Sequence, residues 1–140
     1  MTDRISRDET LMRTAELWAS RSTCLKPNGA LLSREGKVIS IGYNGAPAGH
    51  SHCTEVGCLN DDKGGCIRTI HAEINSVAMA ARYGISTGGA TMYCTTSPCY
   101  TCAKLLISAG ISKVVYRILY RDPLGIDLLK KSKIEVMALE

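Results

Sequence analysis

Two short polar motifs stand at the predicted starts of successive helices, and they limit the folds open to this chain more than any other feature. The first is His71-Ala72-Glu73; the second runs Pro98-Cys99-Tyr100-Thr101-Cys102. One helix and one strand separate them, so for the two to act together a fold must bring two helix N-termini to one place. Cys99 and Cys102 are three apart in a first helical turn, which lets both sulfurs face one point. There the helix dipole and the free N–H groups favour thiolate over thiol. His71, at the corresponding end of the other helix, can offer a neutral nitrogen to the same point.

Two thiolates and an imidazole suit zinc, and three protein ligands leave the fourth tetrahedral position to water, as in catalytic and not structural sites. Water held there has a pKa of about 7. Glu73 is two residues from His71, so on a regular helix the two point to different sides. In the first turn, however, the histidine can reach the metal from the helix end while the carboxylate leans over the open position. Glu73 is then placed to move protons and not to ligate. Either motif alone is weak, since Cys-x-x-Cys also serves redox pairs; the two together are specific.

The remaining pattern is that of one α/β domain, residues 1–140. Ser6-Arg7-Asp8-Glu9 has the form of a capping box and opens a helix over about Arg7–Ser22, with Leu11, Ala15, Trp18 and Ala19 as its core face. A hairpin follows: Ala30-Leu31-Leu32, a turn at Arg34-Glu35-Gly36, then Val38–Ile41. The stretch from Asn44 to Gly65 has no periodicity and reads as a long loop that is functional or internally stapled. A helix over His71–Tyr83 is expected to bury Ile74, Val77, Ala78 and Ala81, with Gly84 as its C-cap. Ala90–Cys94 reads as a strand, and Ser97-Pro98 as an N-cap followed by proline at the first helical position. That helix stops at Gly110; a strand at Lys113–Ile118, a helix near Ile126–Lys131 and a strand at Ile134–Met137 complete the chain. The expectation is a mixed sheet of about five strands with helices packed on it.

No stretch approaches the roughly 18 apolar residues of a membrane span, and Met1-Thr2-Asp3-Arg4 lacks the apolar core of a secretory signal. A cytoplasmic enzyme is the expectation. The net charge of +4 suits an anionic small molecule and is too scattered for a nucleic-acid groove. Seven cysteines in such a chain point to metal before disulfides.

At these motifs the sequence resembles the cytidine and deoxycytidylate deaminase superfamily, and within it the dCMP deaminases. The resemblance runs from about Arg21 to Val136. Besides the zinc motifs it rests on Arg21-Ser22-Thr23-Cys24, Gly42-Tyr43-Asn44-Gly45, Arg68-Thr69-Ile70 before His71, Ala103-Lys104 after Cys102, and Tyr120-Arg121-Asp122. It implies a three-layer α/β/α fold and hydrolysis of dCMP to dUMP and ammonia, with His71, Cys99 and Cys102 on zinc and Glu73 carrying protons to N3 of cytosine and to the departing amine. It further implies activation by dCTP and inhibition by dTTP at a site that includes Gly42, Tyr43, Asn44 and Gly45, with Mg²⁺ as the ion a bound nucleoside triphosphate can bring. A homo-oligomer, most often a hexamer, is implied as well, with no membrane or nucleic-acid partner. Substrate contacts are implied for Asn44 at a sugar hydroxyl, Ala72, Tyr120 at the base, and a cation among Lys26, Arg117 and Arg121 at the 5′-phosphate. One departure is Lys26-Pro27-Asn28-Gly29-Ala30, where the family usually carries Arg near Lys26 and Val before Gly-Ala. Lysine keeps the charge but loses arginine's bidentate grip on phosphate.

Cys53, Cys58 and Cys66 lie in and just beyond the long loop, with His50 and His52 nearby, and Cys24 precedes the hairpin. A closed zinc on Cys24, Cys53, Cys58 and Cys66, with His52 as the substitute ligand, would explain how so polar a segment stays folded. Free thiols are the alternative. Cys94, in an apolar strand, reads as core. A deaminase acting on tRNA or single-stranded DNA would call for more base-stacking aromatics than six Tyr, one Trp and no Phe. A nucleoside-level cytidine deaminase more often has Cys where His71 stands. A non-catalytic zinc scaffold would leave Glu73 without a purpose.

Overall fold

The computed structural model describes residues 3–140; Met1 and Thr2, the first two residues of the start read above, lie outside it. Its elements in chain order are α1 (Arg7–Ala19), β1 (Gly29–Arg34), β2 (Lys37–Tyr43), α2 (Cys53–Val56), α3 (Ala72–Arg82), β3 (Thr91–Thr96), α4 (Tyr100–Ser108), β4 (Lys113–Ile118), α5 (Leu124–Lys131) and β5 (Glu135–Ala138). The five strands form one sheet in the order β2-β1-β3-β4-β5. β1 runs antiparallel to both β2 and β3, whereas β3, β4 and β5 are parallel. The mixed five-stranded sheet is as expected.

Strand alternation divides the core into two layers. Leu31, Tyr93 and Val115 are register partners on one face, where they meet Leu11, Met12 and Ala15 of α1. Leu32, Met92 and Val114 face the other way, against Ala80 of α3, Ala103 and Leu106 of α4, and Ile126 and Leu129 of α5. Burying a leucine such as Leu31 or Leu106 completely stabilises the fold by about 1.5–3 kcal/mol. Helices therefore cover both faces of the sheet, and the three layers are those the family resemblance implies. At the α1 start, Ser6 Oγ accepts from Glu9 N at 3.0 Å, as the capping motif requires.

Four local expectations are corrected. α1 ends at Ala19, three residues early, and Trp18 is not core: it is 37% exposed and stacks on Tyr43 with centroids 6.2 Å apart. α3 is rotated from its predicted face. It buries Ala72, Glu73, Ser76 and Ala80, while Ala78 and Ala81 are exposed. The reason is close packing on Gly42 of β2, where a Cβ would lie 2.4 Å from Ala72 O and 2.5 Å from Ser76 N. Only small side chains fit under a helix that near a strand. Ser97 does not cap α4 and Pro98 precedes it; the N-cap is Cys99, whose sulfur accepts from Cys102 N at 3.5 Å. Ser97 Oγ instead accepts from Tyr120 N at 2.6 Å. Finally, the long loop contains the single turn α2 and an isolated bridge between Asn60 and Cys66.

Candidate active site

Both motifs end up at helix N-termini on the same face of the sheet. His71 is the N-cap of α3, in extended backbone, and Glu73 falls in that helix's first turn. Cys99 caps α4 and Cys102 lies one turn in, fully buried. His71 Nδ1 is 3.3 Å from Cys102 Sγ and 3.5 Å from Cys99 Sγ, and the three donor atoms fall within 4.8 Å of one another. Zn–S of about 2.3 Å and Zn–N of about 2.0–2.1 Å imply a tetrahedral S···N edge of about 3.6 Å. The observed edges and the soft S₂N donor set fit a zinc ion.

The electrostatics of the donors follow from this crowding. Hydrogen bonding from Cys102 and His71 outweighs burial and pulls the Cys99 thiol down to about 4. Cys102 is pushed up, first by sharing its proton with Cys99 and then by burial beside Glu73. The hydrogen bond with Cys99 likewise raises His71 above its ordinary value, against burial. Glu73 is 6% exposed, and its carboxyl is raised chiefly by that burial, although the Cys102 thiol and His71 oppose the shift. A desolvated carboxyl beside three metal-type donors is suited to taking up and giving back a proton.

The wall around this centre is polar and braced. Asn44 is buried; its Oδ1 accepts from Asn28 N at 2.8 Å and its Nδ2 donates to Lys26 O at 2.9 Å. One amide proton and one lone pair of Asn44 stay free for a ligand. The segment Gly45–Ala46 is tied to the approach to His71 through paired bonds between Gly45 and Ile70. Thr95 Oγ1 donates to Asn28 Oδ1 and accepts from Gly29 N, so the proline-asparagine departure joins a network with β3. Tyr120 is half-buried beside Ser97, with the Arg121 guanidinium 5.8 Å from its ring centroid. Lys26 and Arg121 are exposed, but Arg117 is not free for phosphate: its guanidinium pairs with Glu9 at 2.6 Å and Glu16 at 3.2 Å. Arg117 therefore leaves the set of phosphate candidates.

Sequence reading missed two supports of the site. Gly125 in α5 meets the second motif so closely that a Cβ would stand 2.2 Å from Pro98 O. Asn28 and Thr95 form the network just described. A glycine in the first turn of an amphipathic helix is the one available signal for the first; nothing in the sequence pairs Asn28 with Thr95.

The other sequence-predicted groups lie elsewhere. Gly42, Tyr43 and Gly45 line a cavity of about 680 Å³ with His50, His52 and Arg82, and neither His71 nor the two site cysteines border it. Cys24, Cys58 and Cys66 have sulfurs within 4.8 Å of one another, and Cys53 Sγ lies 3.7 Å from Cys66 Sγ. His52 does not join them; its Nδ1 is 3.3 Å from Thr23 Oγ1. Cys94 is fully buried core, as expected. No helix among the described residues is long and apolar enough to cross a membrane.

Comparison with known proteins places this geometry in context. Residues 5–118 match the family described as the cytidine and deoxycytidylate deaminase zinc-binding region. ComE operon protein 2 of Bacillus subtilis is 39% identical over 99% of this chain and 74% of its own length. The deoxycytidylate deaminase of Saccharomyces cerevisiae is 40% identical over 95% of this chain, which spans only 45% of that enzyme. Among solved structures, the dCMP deaminase of cyanophage S-TIM5 in complex with dCMP and dUMP superposes with a TM-score of 0.85 at 34% identity. That match covers 99% of each chain.

Proposed function

Because the chain belongs to the cytidine and deoxycytidylate deaminase family, among its dCMP deaminases, we propose that it hydrolyses dCMP to dUMP and ammonia at the centre formed by His71, Cys99, Cys102 and Glu73. The observation that carries the reading is the convergence of the three donors beside one buried carboxyl. His71, Cys99 and Cys102 would hold the zinc. When bound, it supplies a Lewis acid that brings water's pKa towards about 7. Glu73 takes a proton from the attacking water and delivers it to N3 of the cytosine as the oxygen adds to C4. It then takes the second proton from the oxygen added at C4 and passes it to the exocyclic nitrogen, the C4–N bond breaks, and ammonia and uracil result. Burial keeps the Glu73 carboxyl from trading protons with bulk solvent during these steps.

Asn44 presents its remaining amide proton and lone pair to a sugar hydroxyl, from a position fixed by Lys26 and Asn28. Ala72, between His71 and Glu73, has its side chain in the core, and Tyr120 packs at the edge of the base. Lys26 and Arg121 are the cations for the 5′-phosphate. Regulation by dCTP and dTTP belongs to the cavity by Gly42, Tyr43 and Gly45. Its volume is that of a small-ligand pocket, and His50, His52 and Arg82 offer donors to the phosphate oxygens of a triphosphate, which brings its own Mg²⁺. Met79 and Tyr83, exposed on the outer side of α3 beside that cavity, supply apolar surface for a homo-oligomer.

The experiment is ammonia release from zinc-loaded protein given dCMP, deoxycytidine, dCTP or a tRNA anticodon hairpin, each with and without added dCTP or dTTP. Turnover of dCMP alone, raised by dCTP and lowered by dTTP, is expected. Turnover of the nucleoside or the hairpin in its place would overturn the substrate assignment.

A further inference from the structure

Asn44 lies just past the end of β2, the edge strand, whereas the thiol donors follow β3, two strands further in. The backbone ladders stop short of both. The pairing of β1 with β2 ends at Gly29 and Tyr43, and that of β1 with β3 at Ala30 and Cys94. Beyond those pairs, the distance from Asn44 to the second motif is set by side chains. The segment that carries them has no packing of its own, since Leu25, Lys26 and Pro27 are all exposed.

Asn28 closes the gap. Its backbone holds Asn44 directly: Asn28 N donates to Asn44 Oδ1 at 2.8 Å, and Asn28 O accepts from Asn44 N at 3.1 Å. Its side chain reaches the other way. Asn28 Oδ1 accepts from Thr95 Oγ1 at 3.2 Å, and that buried hydroxyl accepts in turn from Gly29 N at 3.0 Å. Asn28 Nδ2 donates to Lys26 O at 3.2 Å, the carbonyl that also takes Asn44 Nδ2 at 2.9 Å. Two amides thus use both lone pairs of one carbonyl. Ser22 Oγ donates to Asn44 O at 2.7 Å and fixes the opposite side. An Asn44 held in this way is ordered before a ligand arrives, and preorganisation of that kind strengthens a contact. Resting on the reading that Asn44 meets a sugar hydroxyl, we propose that Asn28 is a positioning residue: its side chain, bridged to Thr95, sets how strongly Asn44 grips that hydroxyl.

The test is calorimetric binding of dUMP and of 2′,3′-dideoxyuridine 5′-monophosphate, which lacks the hydroxyl, to the zinc-loaded protein. The natural sequence should prefer dUMP by roughly fivefold, the effect of one net hydrogen bond. Asn28→Leu keeps the volume and the backbone bonds to Asn44 and removes the bridge. It should erase most of that preference and leave the affinity for the dideoxy nucleotide near the parent's. Thr95→Val should do the same and Thr95→Ser should keep the preference; if Asn28→Leu does not fold, this pair decides. Asn28→Leu with Thr95→Val should lose no more than either alone, because both cut one path. In ammonia release from dCMP, Asn28→Leu should raise KM more than it lowers kcat, as loss of uniform binding does. Equal weakening of both nucleotides, the mark of a merely structural role, overturns the proposal. So does an unmoved preference, or a natural sequence that does not distinguish the two. Product binding needs no turnover, so the two readings fail separately. The expected preferences without dCMP turnover would sink the reaction alone, and turnover with an unmoved preference would sink this role alone.

Discussion

Replacing Gly42 with alanine should injure the reaction centre without a residue of that centre being touched. The added Cβ would stand 2.4 Å from Ala72 O and 2.5 Å from Ser76 N, about 1 Å short of ordinary contact, and both obstacles are backbone. No rotamer change relieves such a clash, so α3 must lift from β2. His71 and Glu73 ride on the first turn of α3, whereas Cys99 and Cys102 ride on α4. Lifting one helix alone therefore opens the cluster by a sizeable part of that ångström. Overpacking of this kind costs about 1–3 kcal/mol, or about 4–12 °C in melting temperature for a chain of this size. A misplacement of about 1 Å at reacting groups costs on the order of 10²-fold in rate. The assay is steady-state dCMP turnover with a thermal melt, and Gly45→Ala is the control, since its Cβ meets nothing nearer than Tyr43 Cε2 at 3.8 Å. Gly45→Ala should leave stability within about 0.5 kcal/mol. Parental melting and parental kcat/KM in Gly42→Ala would refute the packing argument.

Two further outcomes follow from the same kind of reading. Gly125→Ala should destabilise by about 1–3 kcal/mol despite the roughly 1 kcal/mol that alanine gains over glycine in a helix, because its Cβ would meet Pro98 O at 2.2 Å; a thermal melt and chelator competition for zinc check both the fold and the displaced Cys99. Glu9 is held down to about 2 by Arg117 first and then Arg13, so its contribution is complete above the ordinary value of 4.5 and is lost as pH falls through about 2. Glu9→Gln should accordingly flatten the melting-temperature profile over that acid window, and an unchanged slope would count against the pair.

The succession of strands and helices, the mixed sheet they form and the two motifs at helix starts were legible because each rests on local rules. Alternation placed Leu31 and Leu32 on opposite faces, and a short motif at a helix start has one direction in which to point. The face of α3 was not legible. Hydrophobicity favours Ile74, Val77, Ala78 and Ala81, but the distance between helix and sheet is set by Gly42, and closeness rewards Ala72, Ser76 and Ala80. The α4 cap misled for a related reason. Ser97 has the usual capping chemistry, but its hydroxyl is taken by Tyr120 N, and a cysteine sulfur takes its place at the helix end. Trp18 is apolar at a helical core spacing, but its ring lies on Tyr43 at the surface, a pairing between β2 and α1 that no local pattern encodes. Sequence alone does not separate Arg117 from a phosphate ligand, because its partners Glu9 and Glu16 stand on α1, about a hundred residues away in the chain.

The most direct test of the account separates metal holding from proton transfer at one position. Glu73→Gln keeps the size of a buried side chain that lies beside Cys102 without counting it among the zinc donors. Zinc content should match that of the parent protein. Turnover of dCMP should fall by about 10²–10⁴-fold, the usual worth of a positioned general acid–base. Full zinc with turnover close to the parent would contradict the assignment of Glu73 as the proton carrier, and with it the reaction proposed for this site.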